Sequence, residues 1–199
     1  MKLASATAIR RQRLAEGTAA LTERYWQNHP VETLMDDLTN LADSLVLDAW
    51  TEHLDGHSDV ALYAVGGYGR RELQPGSDID LLVLAKRPEK LRVPIESFLR
   101  DVFDLNLEVG HSVRDLKGCL QQARDDITVA SALFERRLMA GDTALAQKLD
   151  QKLAPDRVGS ADDFFRAKYA EQKSRHDNYL DTDYNLEPNI KTSPGGLRD

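Results

Sequence analysis

An α+β fold, a small mixed sheet flanked by helices with helical segments at both ends, is what this sequence predicts. Three observations carry that expectation. Apolar residues recur at three- and four-residue steps before residue 56. Two short apolar runs, VALYAV and IDLLVLA, stand on either side of a glycine-rich turn. Helical patterns then return after about residue 115.

From about Ala4 to Trp26 the residues favour helix. From Val31 to Leu54 the apolar positions Leu34, Leu38, Leu41, Leu45 and Ala49 fall on one stripe, so an amphipathic helix with that stripe buried is expected. The turn LDGHSD leads into VALYAV, whose brevity and flanking turn residues mark a buried strand, and IDLLVLA follows as a second after a loop. Pro88 and Pro94 bracket a linker, IESFLRDVFDL has a helical pattern, and NLEVGHS alternates as a third strand would. The remainder reads as helical, with Ser112, Asp126 and Asp142 placed to cap three successive segments. APDRVGS reads as a loop, ADDFFRAKYAEQKSRHDNY as a final helix and DTDYNLEPNIKTSPGGLRD as an irregular tail. Pro188, Pro194, Gly195 and Gly196 exclude helix or interior strand there, yet the composition is not that of a loose tail. The sequence is therefore expected to stop part-way through a structured segment of a longer protein.

Composition narrows the class of partner. The 199 residues hold 26 Lys+Arg against 33 Asp+Glu, a formal net charge of -7, and such a field repels a polyphosphate backbone. DNA and long RNA are thereby disfavoured as substrates. Hydrophobic residues at 41% and charged residues at 30% are ordinary for a folded chain and exclude large-scale disorder. The single cysteine, Cys119, forms no internal disulfide and supplies no zinc-binding thiolate cluster, as expected in a reducing compartment. It shares an apolar helical face with Leu116, Leu120 and Ala123 and reads as core. Near the N-terminus Arg10, Arg11 and Arg13 interrupt any apolar segment, and no stretch reaches the roughly 18 apolar residues of a membrane helix. The expectation is a cytoplasmic protein that contacts no membrane.

The chemistry concentrates in VALYAVGGYGRRELQPGSDIDLLVLA, which reads as strand, glycine-rich turn, short helical piece, turn and strand. Asp78 and Asp80 are two apart on the second strand, so their side chains leave the same face, roughly 6.5 Å apart at the backbone. Two carboxylates so placed repel each other, and a divalent cation resolves the conflict. Magnesium, or manganese in its place, takes oxygen ligands and completes its shell with water and phosphate. A two-metal arrangement needs a third carboxylate. Glu108 is the candidate, on a neighbouring strand where Asn106 and Glu108 would share the polar face, with Asp104 in reserve. Gly66 and Gly67 let backbone amides approach phosphate oxygens, Gly69 permits the following turn, and Arg70 offers a forked donor. Ser77 can donate to a phosphate or cap the turn, and Tyr68 can stack on a base or pack. GGYGRRE fits neither the Walker pattern nor the dinucleotide fingerprint, because Glu72 stands where the last glycine would be. His176-Asp177 lacks the further histidines of an HD phosphohydrolase.

Taken together, VGGYGRRELQPGSDIDLLVL, LEVGHSVRD, DDITVASALFERRLMAGD, EQKSRH and YNLEPNIKTSPGGLRD resemble the N-terminal portion of the bifunctional PII uridylyltransferase and uridylyl-removing enzymes, in order from about Val60 to Asp199. The resemblance implies a polymerase β-like nucleotidyltransferase fold and transfer of UMP from UTP to a tyrosine hydroxyl of the nitrogen-signalling protein PII. It implies metal binding by Asp78 and Asp80, and a nucleotide loop containing Gly66, Gly67 and Arg70. It also implies uridylyl-removing and regulatory domains beyond residue 199. The family usually has glycine where this chain has Arg71. The organisation expected is a helical segment over 1–56, a catalytic core over 57–115, a helical region packed on it over 116–180, and a tail over 181–199. Asn185, Asn189, Lys191 and Arg198 in that tail are donors suited to a phosphate or base, so Lys191 and Arg198 are added to the nucleotide contacts. Nothing in the aspartate motif selects uracil over adenine. Adenylyl transfer to another protein or small molecule, and a retired nucleotide-sensing scaffold, therefore stand beside the leading expectation.

Overall fold

The computed structural model describes residues 5–154 and 160–177. Two long helices open the chain, α1 (Ala6–Trp26), capped by Ser5 Oγ accepting from the Ala8 amide, and α2 (Val31–His53). Arg10 near the start of α1 reaches Glu52 near the end of α2, while Arg24 reaches Asp37, so the two helices lie antiparallel. The buried stripe of α2 is wider than the apolar spacing predicts. Leu34, Leu45 and Ala49 are buried, and Ala42, Val46 and Trp50 join them.

Four strands follow: β1 (Val60–Ala64), β2 (Ile79–Ala85), β3 (Val109–Arg114) and β4 (Arg137–Gly141), in the order β3-β2-β1-β4. β1 runs antiparallel to both β2 and β4, whereas β3 runs parallel to β2, which makes the sheet mixed. The parallel pair needs a crossover, supplied by a 3-10 turn (Pro88–Leu91) and a helix, here α4 (Arg92–Phe103). Between β1 and β2 lies α3, one turn over Gly66–Gly69. The remaining helices are α5 (Leu116–Asp125), α6 (Ile127–Phe134), α7 (Thr143–Lys152) and α8 (Ala161–Asp177).

Period-two alternation divides the strand side chains between two cores. Val60, Leu62, Ala64, Ile79, Leu81, Val83 and Ala85 pack with α2 and α4, while Ala61, Tyr63, Leu82 and Leu84 pack with α5, α6 and α7. Cys119 belongs to the second core and is fully buried, and burial pushes its thiol pKa up to about 11.

Four local expectations are corrected. The segment after β3 is not wholly helical, because Arg137–Gly141 pairs with β1 as a strand. Ser112 lies inside β3, and the cap of α5 is Asp115, whose Oδ1 accepts from the Gly118 amide at 2.6 Å. The third strand starts at Val109, since Asn106 holds a left-handed φ of 61° that breaks extended pairing. Helix α4 starts at Arg92, with Pro94 tolerated in its first turn. Asp126 and Asp142 cap α6 and α7 as expected.

Candidate active site

Along β2 the face that turns toward α5–α7 carries Leu84 and Leu82, both buried, and then Asp80, half-buried. Asp78, exposed, continues the same parity just before the strand. The polypeptide thus changes from leucine to aspartate where the helical layer ceases to cover the sheet.

Asp80 is seated by glycines on two neighbouring segments. Gly110 is its register partner on β3, and a Cβ there would run into Asp80 Oδ1 and lie 3.3 Å from Cγ. On the other side a Cβ at Gly66 would lie 3.7 Å from Asp80 Oδ2. The Asp80 carbonyl accepts from the Val65 amide at 3.0 Å, which ties the start of the glycine-rich turn to the strand. Gly66 has φ of 59°, a left-handed conformation that favours glycine. Gly69 is glycine for another reason, since a Cβ would enter the Glu135 carbonyl and stand 3.0 Å from that of Ala64.

The other expected residues sort as follows. Glu108 is exposed, and its carbonyl accepts from the Ile79 amide at 2.8 Å, so its residue stands beside the Asp78–Ile79 step. Asn106 does not share a strand face with it. Asp104 stands at the C-terminal end of α4 and pairs with Arg11 at 3.5 Å. Ser77 Oγ accepts from the Gln74 amide at 3.1 Å and closes the turn before Asp78. Tyr68 is buried to 1% exposure, so its ring packs and is not available to stack on a base. Arg70 is half-exposed, held by Glu72 at 2.7 Å and by Glu135 at 2.6 Å. The hydrogen bond to Glu72, reinforced by the Glu135 charge, raises its pKa. Lys191, Arg198 and the rest of the expected tail lie outside the described residues.

Arg71, at φ 65°, occupies a left-handed position that glycine fills without strain. Its side chain spans to α2, with Nε 3.2 Å from Asp36, Nη2 2.8 Å from Asn40 and Nη1 3.5 Å from Asp43. Three further residues escape sequence reasoning: Glu135, Asp43 and Gly110. Of these Gly110 leaves a signal, because an interior strand glycine marks a close approach.

The donor set suits a hard cation. Asp78, Asp80 and Glu108 are carboxylates at one margin of adjacent strands, beside a turn whose opening amides have no acceptor within it. Their oxygens are not all drawn within 4.8 Å of one another. Among the described residues a group that is so drawn is Glu52, His53 and Asp101. Arg10, 5% exposed, already bonds Glu52 at 2.5 Å and Asp101 at 3.0 Å, so that cluster is an internal ion network joining α1, α2 and α4.

A family model described as nucleotidyltransferase domain matches residues 46–138, and one described as GlnD PII-uridylyltransferase matches residues 163–199. Proteins named bifunctional uridylyltransferase/uridylyl-removing enzyme are similar over nearly the whole chain. One from Pseudomonas syringae pv. syringae is 45% identical over 195 residues, 96% of this chain and 21% of the relative. One from Photobacterium profundum is 44% identical over 181 residues, 89% of this chain and 21% of the relative. One from Methylococcus capsulatus is 44% identical over 190 residues, 94% of this chain and 22% of the relative. The chain spans about a fifth of the length of these relatives. A crystal structure of a toxin–antitoxin with AMP-PNP aligns over 69% of this chain and 98% of the other at a TM-score of 0.32 and 14% identity.

Proposed function

The chain carries a nucleotidyltransferase domain and is related over nearly its whole length to the N-terminal region of bifunctional uridylyltransferase/uridylyl-removing enzymes, and from that premise we propose that it transfers UMP from UTP to a tyrosine hydroxyl of PII. The observation that carries the reading is the Asp80 carboxylate seated between Gly66 and Gly110 at the mouth of a glycine-rich turn. Such a seat serves a carboxylate that must stand close to a ligand's phosphates.

In the reaction a bond forms between the tyrosine oxygen and the α-phosphorus. The bond from that phosphorus to the bridging oxygen breaks, pyrophosphate leaves, and the hydroxyl proton passes to solvent. Magnesium or manganese held by Asp78, Asp80 and Glu108 would supply activation of the hydroxyl and charge neutralisation on the triphosphate. Gly66 and Gly67 present backbone amides without intervening side chains, which allows close contact with phosphate oxygens. Arg70 exchanges part of its pairing with Glu72 and Glu135 for a charge-assisted contact to phosphate. Ser77 keeps the preceding turn closed so that Asp78 enters at a fixed height. The net charge of -7 accords with a protein acceptor in place of a nucleic acid.

The test incubates the chain with magnesium, PII and each labelled nucleoside triphosphate in turn. Label on PII from UTP alone is the expected outcome. Transfer from ATP with none from UTP, or no transfer from any triphosphate while the folded chain binds them, would overturn the assignment.

A further inference from the structure

The glycine-rich turn is gripped from behind by groups that the reaction itself does not use. Arg137, the first residue of β4, lays its guanidinium over the Tyr68 ring, 5.5 Å from the centroid, and donates through Nη2 to the Tyr68 carbonyl at 3.4 Å. Asp43 of α2 holds the same guanidinium with both oxygens, at 2.9 Å and 3.0 Å. The two side chains are 25% and 15% exposed, so the pair is largely sheltered from solvent screening. Arg71, just past the turn, approaches the same Asp43 carboxylate at 3.5 Å.

We propose that Arg137 and Asp43 are positioning residues for nucleotide transfer, fixing Tyr68 and through it holding Gly66 and Gly67 at the spacing from Asp80 that a triphosphate requires. The inference rests on the nucleotidyltransferase reading above. A turn of four residues has too few internal hydrogen bonds to define its own place. It is followed by Arg71 at φ 65°, a left-handed conformation that in a residue other than glycine persists where the surroundings over-determine it. Three of the four residues are glycine, so Tyr68 is the only one with a side chain to hold. The guanidinium holds it at both ring and carbonyl. A lysine at 137 supplies the charge but neither the two-pronged carboxylate contact nor the flat stacking surface.

Four variants of the full chain test this: Arg137→Met, Arg137→Lys, Asp43→Asn, and the Asp43→Asn/Arg137→Met double. UTP affinity with magnesium, KM and kcat for labelling of PII, and melting temperature without ligand are measured on each. Arg137→Met is expected to weaken UTP and raise its KM by about tenfold or more, since a displaced turn loses charge-assisted and backbone-amide contacts to the phosphates. Arg137→Lys recovers part of the loss, and the double variant is no worse than Arg137→Met because the two residues act as a unit. A lower melting temperature with UTP affinity and KM unchanged makes the pair merely structural and overturns the proposal. Should Arg137→Met fail to fold, Arg137→Lys decides alone, and unchanged UTP affinity in that variant overturns it equally. A folded wild-type chain that binds no triphosphate instead refutes the nucleotidyltransferase reading, and this proposal with it.

Discussion

Gly110→Ala isolates the seat of Asp80 from everything else in the molecule. The position lies inside β3 and its φ is not among the left-handed ones, so alanine meets no backbone obstacle. The new methyl collides with Asp80 Oδ1 and stands 3.3 Å from Cγ, and only the Asp80 side chain can give way. Replacing glycine in a strand recovers about 0.5–1 kcal/mol of backbone entropy. Forcing Asp80 off its rotamer costs about 0.5–1.5 kcal/mol. These two terms are of similar size and opposite sign, so between them they move the melting temperature by no more than about 2–4 °C in a chain of this size, and any larger fall reports contacts that Asp80 loses on displacement. Activity should behave otherwise, because displacing a reacting group by about 1 Å costs on the order of 100-fold. Thermal unfolding measured beside PII labelling with magnesium and UTP separates the two effects. Labelling at the wild-type rate would refute the claim that Asp80 works from between the two glycines.

Asp78→Asn and Asp80→Asn should each remain folded and lose transfer by several orders of magnitude, because a neutral amide replaces an anionic metal ligand; PII labelling beside a melting curve checks both halves. Arg70→Ala should weaken UTP binding by roughly 1.5–3 kcal/mol with the fold intact, and calorimetric titration that found affinity unchanged would make Arg70 a structural partner of Glu72 and Glu135. Asp142 has a lowered pKa, first through the Leu145 amide and also through those of Ala144 and Asp59. A depressed carboxylate contributes stability that is present above its unfolded pKa and lost as pH falls through the folded one. Asp142→Ala should therefore cost about 1 kcal/mol at neutral pH, and denaturant titrations should show the gap closing below the ordinary carboxylate range.

Local chemistry made most elements legible. The short apolar runs of β1 and β2, the long stripe of α2 and the aspartate caps of α6 and α7 each depend on neighbours in sequence, and each appears where the residues place it. β4 was not legible. FERRLMAGD carries two arginines and no clean alternation, and it becomes a strand by pairing with β1, a partner distant in sequence. The onset of β3 was blurred because a left-handed Asn106 cannot be told from an extended one by type. In the site, the aspartates were evident from spacing, but the Glu135 partner of Arg70 and the Asp43–Arg137 grip on Tyr68 join segments that only the fold brings together. Tyr68 illustrates the same limit, since its residue type suits both a nucleotide base and a core, and burial alone chooses.

The strand order has a consequence for synthesis. β1 takes its second neighbour from β4, which is translated after β1, β2 and β3. A nascent chain halted before Arg137 already contains Asp78, Asp80 and Gly110, yet presents β1 with one edge bare and the Tyr68 ring uncovered. During translation that interval exposes a run of buried-type residues, Val60–Ala64, to other chains on the same polysome. Once Arg137–Gly141 emerges and pairs, that side of β1 is covered, and the bare edges of the sheet become those of β3 and β4.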